Sequence, residues 1–394
     1  MGVAGYLTAA TPPRLAVGGI VVAIPVLAVE QLGDVALGGL LAAAALGPSI
    51  VAAPIVGAVL DRTRRPGAFV AGAGLVAAAA FTVAAFLGVV PTGVVALALV
   101  VAGIAVPFVM GGLSSFVTEV IPDERRAYAI DALAYNLGAV AGPAAVAAAA
   151  AFGSARLATL LMAGSALLGA VGTIPLRLRP VAGEPHASML RTIAAGFRHI
   201  ATHRPLAVIT SSGTLSQFGA GGLAIAAVAL SVQRGGDAGG GALIVTAFAI
   251  GGLVGALWNS ANPPRFRPEI TMGVGFAATG VFTVLAALDV GTTWTIAAIG
   301  VSGLFTAASA AAMLLIRKQQ SPPSLRSQVF TVGAGLRAAA AAAGAAVAGL
   351  AAGLGAEALI VAIGLVWIAS GAMLLAYPRG ARAIDGSAPA DHAG

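Results

Sequence analysis

Long apolar runs, separated by short polar stretches, recur along the whole chain and constrain its fold more than any other feature. A helix needs roughly 20 apolar residues to cross the hydrocarbon core of a bilayer. By this measure the sequence predicts an all-α integral membrane protein with twelve transmembrane helices. Their predicted limits are 14–32, 36–60, 68–89, 93–118, 127–151, 156–176, 205–231, 240–260, 269–288, 292–316, 327–353 and 356–377.

The composition agrees with this interpretation and limits the chemistry. Hydrophobic residues make up 59% of the 394 residues and the mean hydropathy is +0.99, whereas soluble domains are about 45–50% apolar. We therefore expect lipid to solvate the chain. Cysteine is absent, which excludes disulfides and thiolate metal sites. All four histidines lie in polar segments, so we expect no metal site and no cofactor.

Basic residues are distributed unevenly between the two predicted membrane faces. With both termini on one side, eighteen of the 21 Lys and Arg residues fall on that side. Lys and Arg are enriched in cytoplasmic loops, so we predict cytoplasmic termini in the inner cell membrane. The net charge of +7 is thus a topology signal rather than a sign of nucleic-acid binding. Arg14 precedes the first run, which we expect to be an uncleaved anchor.

Sequence signals repeat between the two halves of the chain. Pro122 and Arg125, before the fifth span, reappear as Pro323 and Arg326 before the eleventh, an offset of 201 residues at both positions. Transporters are often built from such repeats, and we predict two six-helix bundles. The predicted division is an N-terminal bundle (1–176), a cytoplasmic linker (177–204), a C-terminal bundle (205–377) and a polar cytoplasmic tail (378–394).

The linker carries an apolar stripe at helical spacing among arginines and histidines. This pattern is typical of a short amphipathic helix on a membrane surface. We interpret the segment as a connection between the bundles, with a regulatory site as the alternative. The stripe consists of Leu190, Ile193, Phe197 and Ile200.

A charged motif follows the second span, in a chain where only 9% of residues are charged. The sequence "GAVLDRTRRPG" resembles the loop between helices two and three of the major facilitator superfamily, a family of twelve-helix transporters. The resemblance implies that fold, a transport activity and a cytoplasmic gate. The matching residues are Gly57, Asp61, Arg62, Arg64 and Arg65; the glycine that precedes the last two basic residues in the family is missing here.

The physical reasoning for a gate starts from separable contacts. Gly57 would let the second helix approach a neighbour closely. Asp61 would suit a helix N-terminus, where the dipole favours an anion; in the family this is the start of helix eleven. We expect Arg64 to pair with Glu119 at the end of helix four. The alternative is that these arginines only fix topology.

A second stretch, "NLGAVAGPAAVA" in the fifth span, resembles the antiporter motif of the drug:proton antiporters in that family. Gly138, Gly142 and Pro143 match, whereas Val146 and Ala147 replace the family's glycine pair. The resemblance implies a packing hinge that keeps the pore from leaking. Ordinary packing of small residues is the alternative.

Polar residues inside the spans are candidates for a substrate cavity. Arg337 lies about ten residues into its span, where a charge costs roughly 2.5–3.5 kcal/mol on insertion scales. By the repeat offset it corresponds to Asn136, and the two are expected on opposite walls of one cavity. Gln217 is a third candidate. The alternatives are an arginine bound to carbonyls or lipid phosphate, and polar helix packing around Gln217.

Two acids are candidates for proton coupling. Glu30 follows an apolar run and has no basic neighbour in sequence, so desolvation would raise its pKa toward the working range; an exposed loop residue is the equal alternative. Asp131 is one turn inside the fifth span. It is expected at the inner gate, with the proton path as the alternative.

Together these features predict a secondary active transporter, and the resemblance favours export. The expected substrate is a small, partly apolar organic molecule, with protons as the coupling ion and a monomer in the lipid bilayer. The first alternative is proton-coupled uptake of a nutrient or organic anion through Arg337. The second is a membrane enzyme or sensor, but no metal triad, nucleophile elbow or phosphate loop supports an enzyme.

Overall fold

The computed structural model describes residues 2–176, 178, 189–262, 264–322, 325–378 and 380–381, and this part of the chain is helical. It contains sixteen α-helices, which we number in chain order. They are α1 (Val3–Leu32), α2 (Val35–Leu46), α3 (Ser49–Arg62), α4 (Pro66–Ala85), α5 (Thr92–Pro107), α6 (Val117–Val120), α7 (Glu124–Phe152), α8 (Ala155–Thr173), α9 (Met189–Thr202), α10 (Arg204–Gln233), α11 (Ala238–Ala261), α12 (Pro268–Ala286), α13 (Thr292–Leu304), α14 (Thr306–Gln319), α15 (Arg326–Leu350) and α16 (Ala356–Ala372).

Within the described ranges, twelve stretches are long and apolar enough to cross a membrane, which confirms the predicted number of spans. Several limits differ from the prediction. The first span begins at Val3 rather than at residue 14, and α1 continues through Pro12 and Pro13. The second span breaks between α2 and α3 at Gly47 and Pro48, where the proline lacks a backbone N–H. The fourth ends in a π-helical segment, and the tenth breaks between α13 and α14.

The helices repeat in register between the two halves. α1 and α10 are both 30 residues long and begin 201 residues apart, and α8 and α16 also begin 201 residues apart. The first six spans precede α9 and the second six follow it. The division into two bundles and a linker remains our proposal for the domain organisation.

Helix α9 occupies the later part of the predicted linker. Its side chain Ile200 is buried with residues of the second half, and Phe197 is exposed. At Gly196 the helix lies so close to α15 that an added Cβ would be 2.8 Å from Cβ of Gln328. The side chains of Leu190 and Ile193 lie outside what the structure describes.

Among the described residues, the buried core that contains side chains of both halves runs from the middle of the bundle to one side. We call this the far side; it holds the connections α1–α2 and α15–α16. A Cβ added to Gly39 of α2 would lie 2.6 Å from Cα of Gly349 in α15. On the opposite, terminal side, which holds Val3 and the α3–α4 loop, the described residues form one buried cluster in each half.

Candidate functional site

A buried ion pair joins α1 to α7 inside the first bundle. Nη2 of Arg14 lies 2.5 Å from Oδ1 of Asp131, and the two side chains are 1% and 13% exposed. Nη1 of Arg14 also donates to the backbone carbonyl of Asp131 at 2.9 Å. Both residues lie within membrane-spanning segments, so each charge depends on the other for its stability there.

Three polar side chains complete this cluster. The Tyr6 hydroxyl donates to Oδ1 of Asp131. Ser114, which follows the π-helical segment, accepts from Nη2 of Arg14 at 2.8 Å and lies 3.2 Å from the same carboxylate oxygen. The guanidinium of Arg14 stacks on the Tyr135 ring at 3.8 Å. Oδ1 of Asp131 therefore has several donors around it, and protonation of the carboxylate would change its contacts with Arg14, Tyr6 and Ser114.

Glycines allow the two helices to come this close. A Cβ added to Gly138 would lie 2.7 Å from the backbone carbonyl carbon of Arg14, and one added to Gly142 would lie 2.6 Å from the backbone nitrogen of Gly19. Both glycines are buried, as is Pro143. The helix-five motif thus packs on α1, and its glycines hold the backbone that carries Asp131 against the backbone that carries Arg14.

The sequence reasoning missed Arg14. It placed this residue before the first span and counted it with the topology charges, but α1 begins eleven residues earlier and buries it. The sequence held a partial signal: Asp131 and Tyr135 are four apart, which places them on one face of α7. Which helix faces them depends on tertiary packing.

The predicted gate motif lies at the terminal side of the molecule. Gly57 has open space around it, with nothing within 4 Å of an added Cβ, so the expected close helix approach there is wrong for this conformation. The side chains of Asp61 and Arg62 lie outside what the structure describes. Arg64 and Arg65 are exposed, as is Glu119. The four ion pairs of the described residues do not include Arg64.

The predicted cavity residues have different environments. Asn136 is exposed on the side of α7 away from α1, while Gln217 and Arg337 are partly buried. No hydrogen bond or ion pair joins these three within the described residues. Arg317, which the sequence reasoning counted only as a topology charge, is 2% exposed.

Glu30 caps a helix on the far side. Its Oε2 accepts from the backbone N–H of Ala155, the first residue of α8, at 2.7 Å, and the side chain is exposed. The second half repeats this contact with a different residue: Oε1 of Gln233 accepts from the N–H of Ala356, the first residue of α16, at 2.7 Å. Because glutamine carries no titratable proton, the shared role is helix capping. The premise that Glu30 is desolvated is wrong.

Comparison with models of known protein families identifies one family. The model of the Major Facilitator Superfamily matches residues 14–259. No curated protein sequence matches the chain. A mutant of the nucleoside transporter NupG superposes with a TM-score of 0.81 at 12% identity, over 94% of this chain and 98% of that one.

Two further solved structures resemble the whole chain. A bacterial homologue of the human lysosomal transporter Spinster, inward-facing and unoccupied, has a TM-score of 0.74 at 15% identity and covers 95% of this chain and 96% of its own. A mutant of the peptide transporter POT has a TM-score of 0.75 at 16% identity, over 95% and 93%. At these identities the likeness shows the fold.

Proposed function

The chain belongs to the Major Facilitator Superfamily, and we propose that it is a proton-coupled secondary transporter of a small, partly apolar organic molecule. The observation that carries the coupling is the buried ion pair of Arg14 and Asp131 between two membrane-spanning helices. Intramembrane ionisable residues commonly mark proton relays and substrate pathways. In this proposal Asp131 carries the proton.

The chemistry of the pair explains how a proton would act. While Asp131 is ionised, Arg14, Tyr6 and Ser114 all interact with its Oδ1. Protonation removes the negative charge and leaves the guanidinium of Arg14, which is 1% exposed, without a carboxylate. The packing of α1 on α7 then becomes less favourable. The 13% exposure of Asp131 leaves the carboxyl accessible to a proton.

The arrangement of the halves supports alternating access. Their shared core lies toward the far side, and each half has its own core at the terminal side. The charge bias assigns the terminal side to the cytoplasm, so this conformation would be closed to the outside. We propose that the inner gate closes in the opposite state and that it is built from Gly57, Asp61, Arg62, Arg64, Arg65 and Glu119.

Two transport directions have support. Export is the first, because the helix-five stretch with Gly138, Gly142 and Pro143 resembles a motif of exporters. Uptake of a nutrient or organic anion is the second, because Arg337 lies in a membrane span and has no acidic partner among the described residues. Asn136 and Gln217 are the proposed uncharged contacts to substrate in either case.

A substrate screen in everted vesicles, with and without a proton gradient, tests the proposal. Asp131→Asn should abolish gradient-driven accumulation while substrate exchange at equal concentrations continues, because the altered site no longer releases a proton. Glu30→Gln is the matched control: it removes an acid on α1 but keeps the oxygen that caps α8, as Gln233 does for α16. Undiminished uphill transport by Asp131→Asn would show that the proton travels elsewhere.

A further inference from the structure

Within the part of the chain that the structure describes, two arginines of the second half lie in membrane spans without an acidic partner. Arg317, in the last turn of α14, is 2% exposed, and Arg337 is partly buried in α15. Nε and Nη2 of Arg317 and Nε of Arg337 are buried and have no hydrogen-bond partner. Neither residue takes part in the ion pairs of the described residues.

The fold brings the two guanidinium groups into one region. Arg317 lies against Gly333 of α15: an added Cβ there would be 2.7 Å from Cζ of Arg317 and within 2.9 Å of both terminal nitrogens. Gly333 is one helical turn from Arg337 on the same helix, and the two positive charges repel each other. The missing side chain at Gly333 creates the space that Arg317 occupies.

The first half shows what such a position normally requires. Arg14 is equally buried there, and Asp131 neutralises it. A buried charge without a counter-charge is strongly unfavourable, and two like charges increase that cost. The C-terminal dipole of α14 favours a cation in its last turn, but it supplies neither of the missing hydrogen bonds. A bound anion would supply both charge and acceptors.

We propose that Arg317 and Arg337 form a binding site for one oxyanionic group, a carboxylate or a phosphate. Guanidinium groups match these planar or multi-oxygen anions with paired N–H donors. The site rests on the proposed function in one respect: the anion is part of the transported molecule, which is then a partly apolar organic anion. A lipid headgroup has the same chemistry and is the competing source.

Thermal unfolding of the purified protein in neutral detergent tests the site. Benzoate and inorganic phosphate serve as probes, against chloride at constant ionic strength. An anion that binds the folded state raises the unfolding midpoint increasingly as its concentration exceeds its Kd. We expect at least one probe to raise the midpoint of the wild type. Arg317→Gln and Arg337→Gln should each weaken the apparent affinity by roughly tenfold or more.

Two glycine variants separate site geometry from folding. Gly333→Ala adds a methyl group against the flexible end of Arg317, so the protein should fold while the guanidinium is displaced and the anion response weakens. Gly335→Ala, two residues along the same helix, meets nothing within 4 Å and should leave the response unchanged. An equal response in both variants would contradict the geometry.

Nanodiscs distinguish the sources of the anion. The probe effect should persist when phosphatidylglycerol is replaced by phosphatidylcholine. Stabilisation by phosphatidylglycerol alone, no stabilisation by either probe, or stabilisation that survives both glutamine variants would each overturn the proposal. Asp131→Asn leaves Arg317 and Arg337 in place, so a probe anion should still raise its midpoint, and a failure of proton coupling and a failure of this site give different results.

Discussion

Neutralising one member of the Arg14–Asp131 pair should destabilise the protein far more than neutralising an exposed pair. Removing one partner of a buried ion pair costs about 3–5 kcal/mol. Asp131→Asn leaves Arg14, 1% exposed, without a counter-charge; the carbonyl of residue 131, the Ser114 hydroxyl and the Tyr135 ring stay as partners. We expect this variant to lose stability near the lower end of that range, about 3 kcal/mol, because Asp131 itself is 13% exposed.

The double variant Arg14→Gln with Asp131→Asn makes this expectation specific. It leaves no uncompensated charge, so it should be more stable than Asp131→Asn alone. In the double-mutant cycle, we expect a coupling energy of about 2 kcal/mol between Arg14 and Asp131. The free energy of unfolding is measured for the wild type, both single variants and the double variant. Each protein is unfolded in mixed detergent micelles with increasing dodecyl sulfate, and the fluorescence of the three tryptophans follows the transition.

A control acid is available in the second half. Asp289 pairs with Arg234 at 3.5 Å and is itself 76% exposed. Arg234 is 11% exposed but also lies 3.6 Å from Glu357, so losing Asp289 leaves this arginine a counter-charge. Asp289→Asn should therefore change the free energy of unfolding little. Similar losses for Asp131→Asn and Asp289→Asn, or strictly additive losses in the cycle, would refute the reasoning that the first pair is a buried, mutually dependent unit.

Other changes test the packing, the gate and the cavity. Gly142→Ala should cost about 1–3 kcal/mol, because its Cβ would meet backbone atoms of α1 at 2.6–2.9 Å, whereas Gly164→Ala, with nothing within 4 Å, should be tolerated; unfolding in the same micelles compares them. The Asp61→Asn protein should insert and fold normally but transport poorly. Normal transport by the well-expressed variant would contradict the proposed gate. Cysteines replacing Asn136 and Arg337, in a chain without native cysteine, should react with soluble thiol reagents from one side at a time.

Hydropathy predicted the number of spans because each run buries enough apolar surface in lipid to specify a helix on its own. It could not predict the breaks at Pro48 and Phe305, since both lie within continuous apolar sequence. The first span was misplaced because "TPPR" reads as a loop, although α1 continues through both prolines.

The site depended on contacts that no local pattern contains. Glu30 has no basic neighbour in sequence, and this suggested a desolvated carboxyl. Its partner is a backbone N–H 125 residues away. Arg14 and Asp131 are 117 residues apart, so scarcity of charge could identify candidates but could not pair them.

The Arg14–Asp131 pair and the anion site of Arg317 and Arg337 together predict how proton binding and anion binding are linked. Protonating Asp131 leaves the buried groups one charge more positive, so electrostatics alone should strengthen anion binding as the pH falls. By reciprocity, the anion would then favour the protonated state, which is the sign required for uptake together with a proton. Export against a proton requires the opposite sign: helix movement on protonation would have to weaken anion binding at the site of Arg317 and Arg337.

Measuring the benzoate affinity of the purified protein across pH, in the wild type and in Asp131→Asn, distinguishes the sign expected for uptake from the sign expected for export. We expect the pH dependence to disappear in Asp131→Asn, and a dependence that persists there would disconnect Asp131 from the anion site.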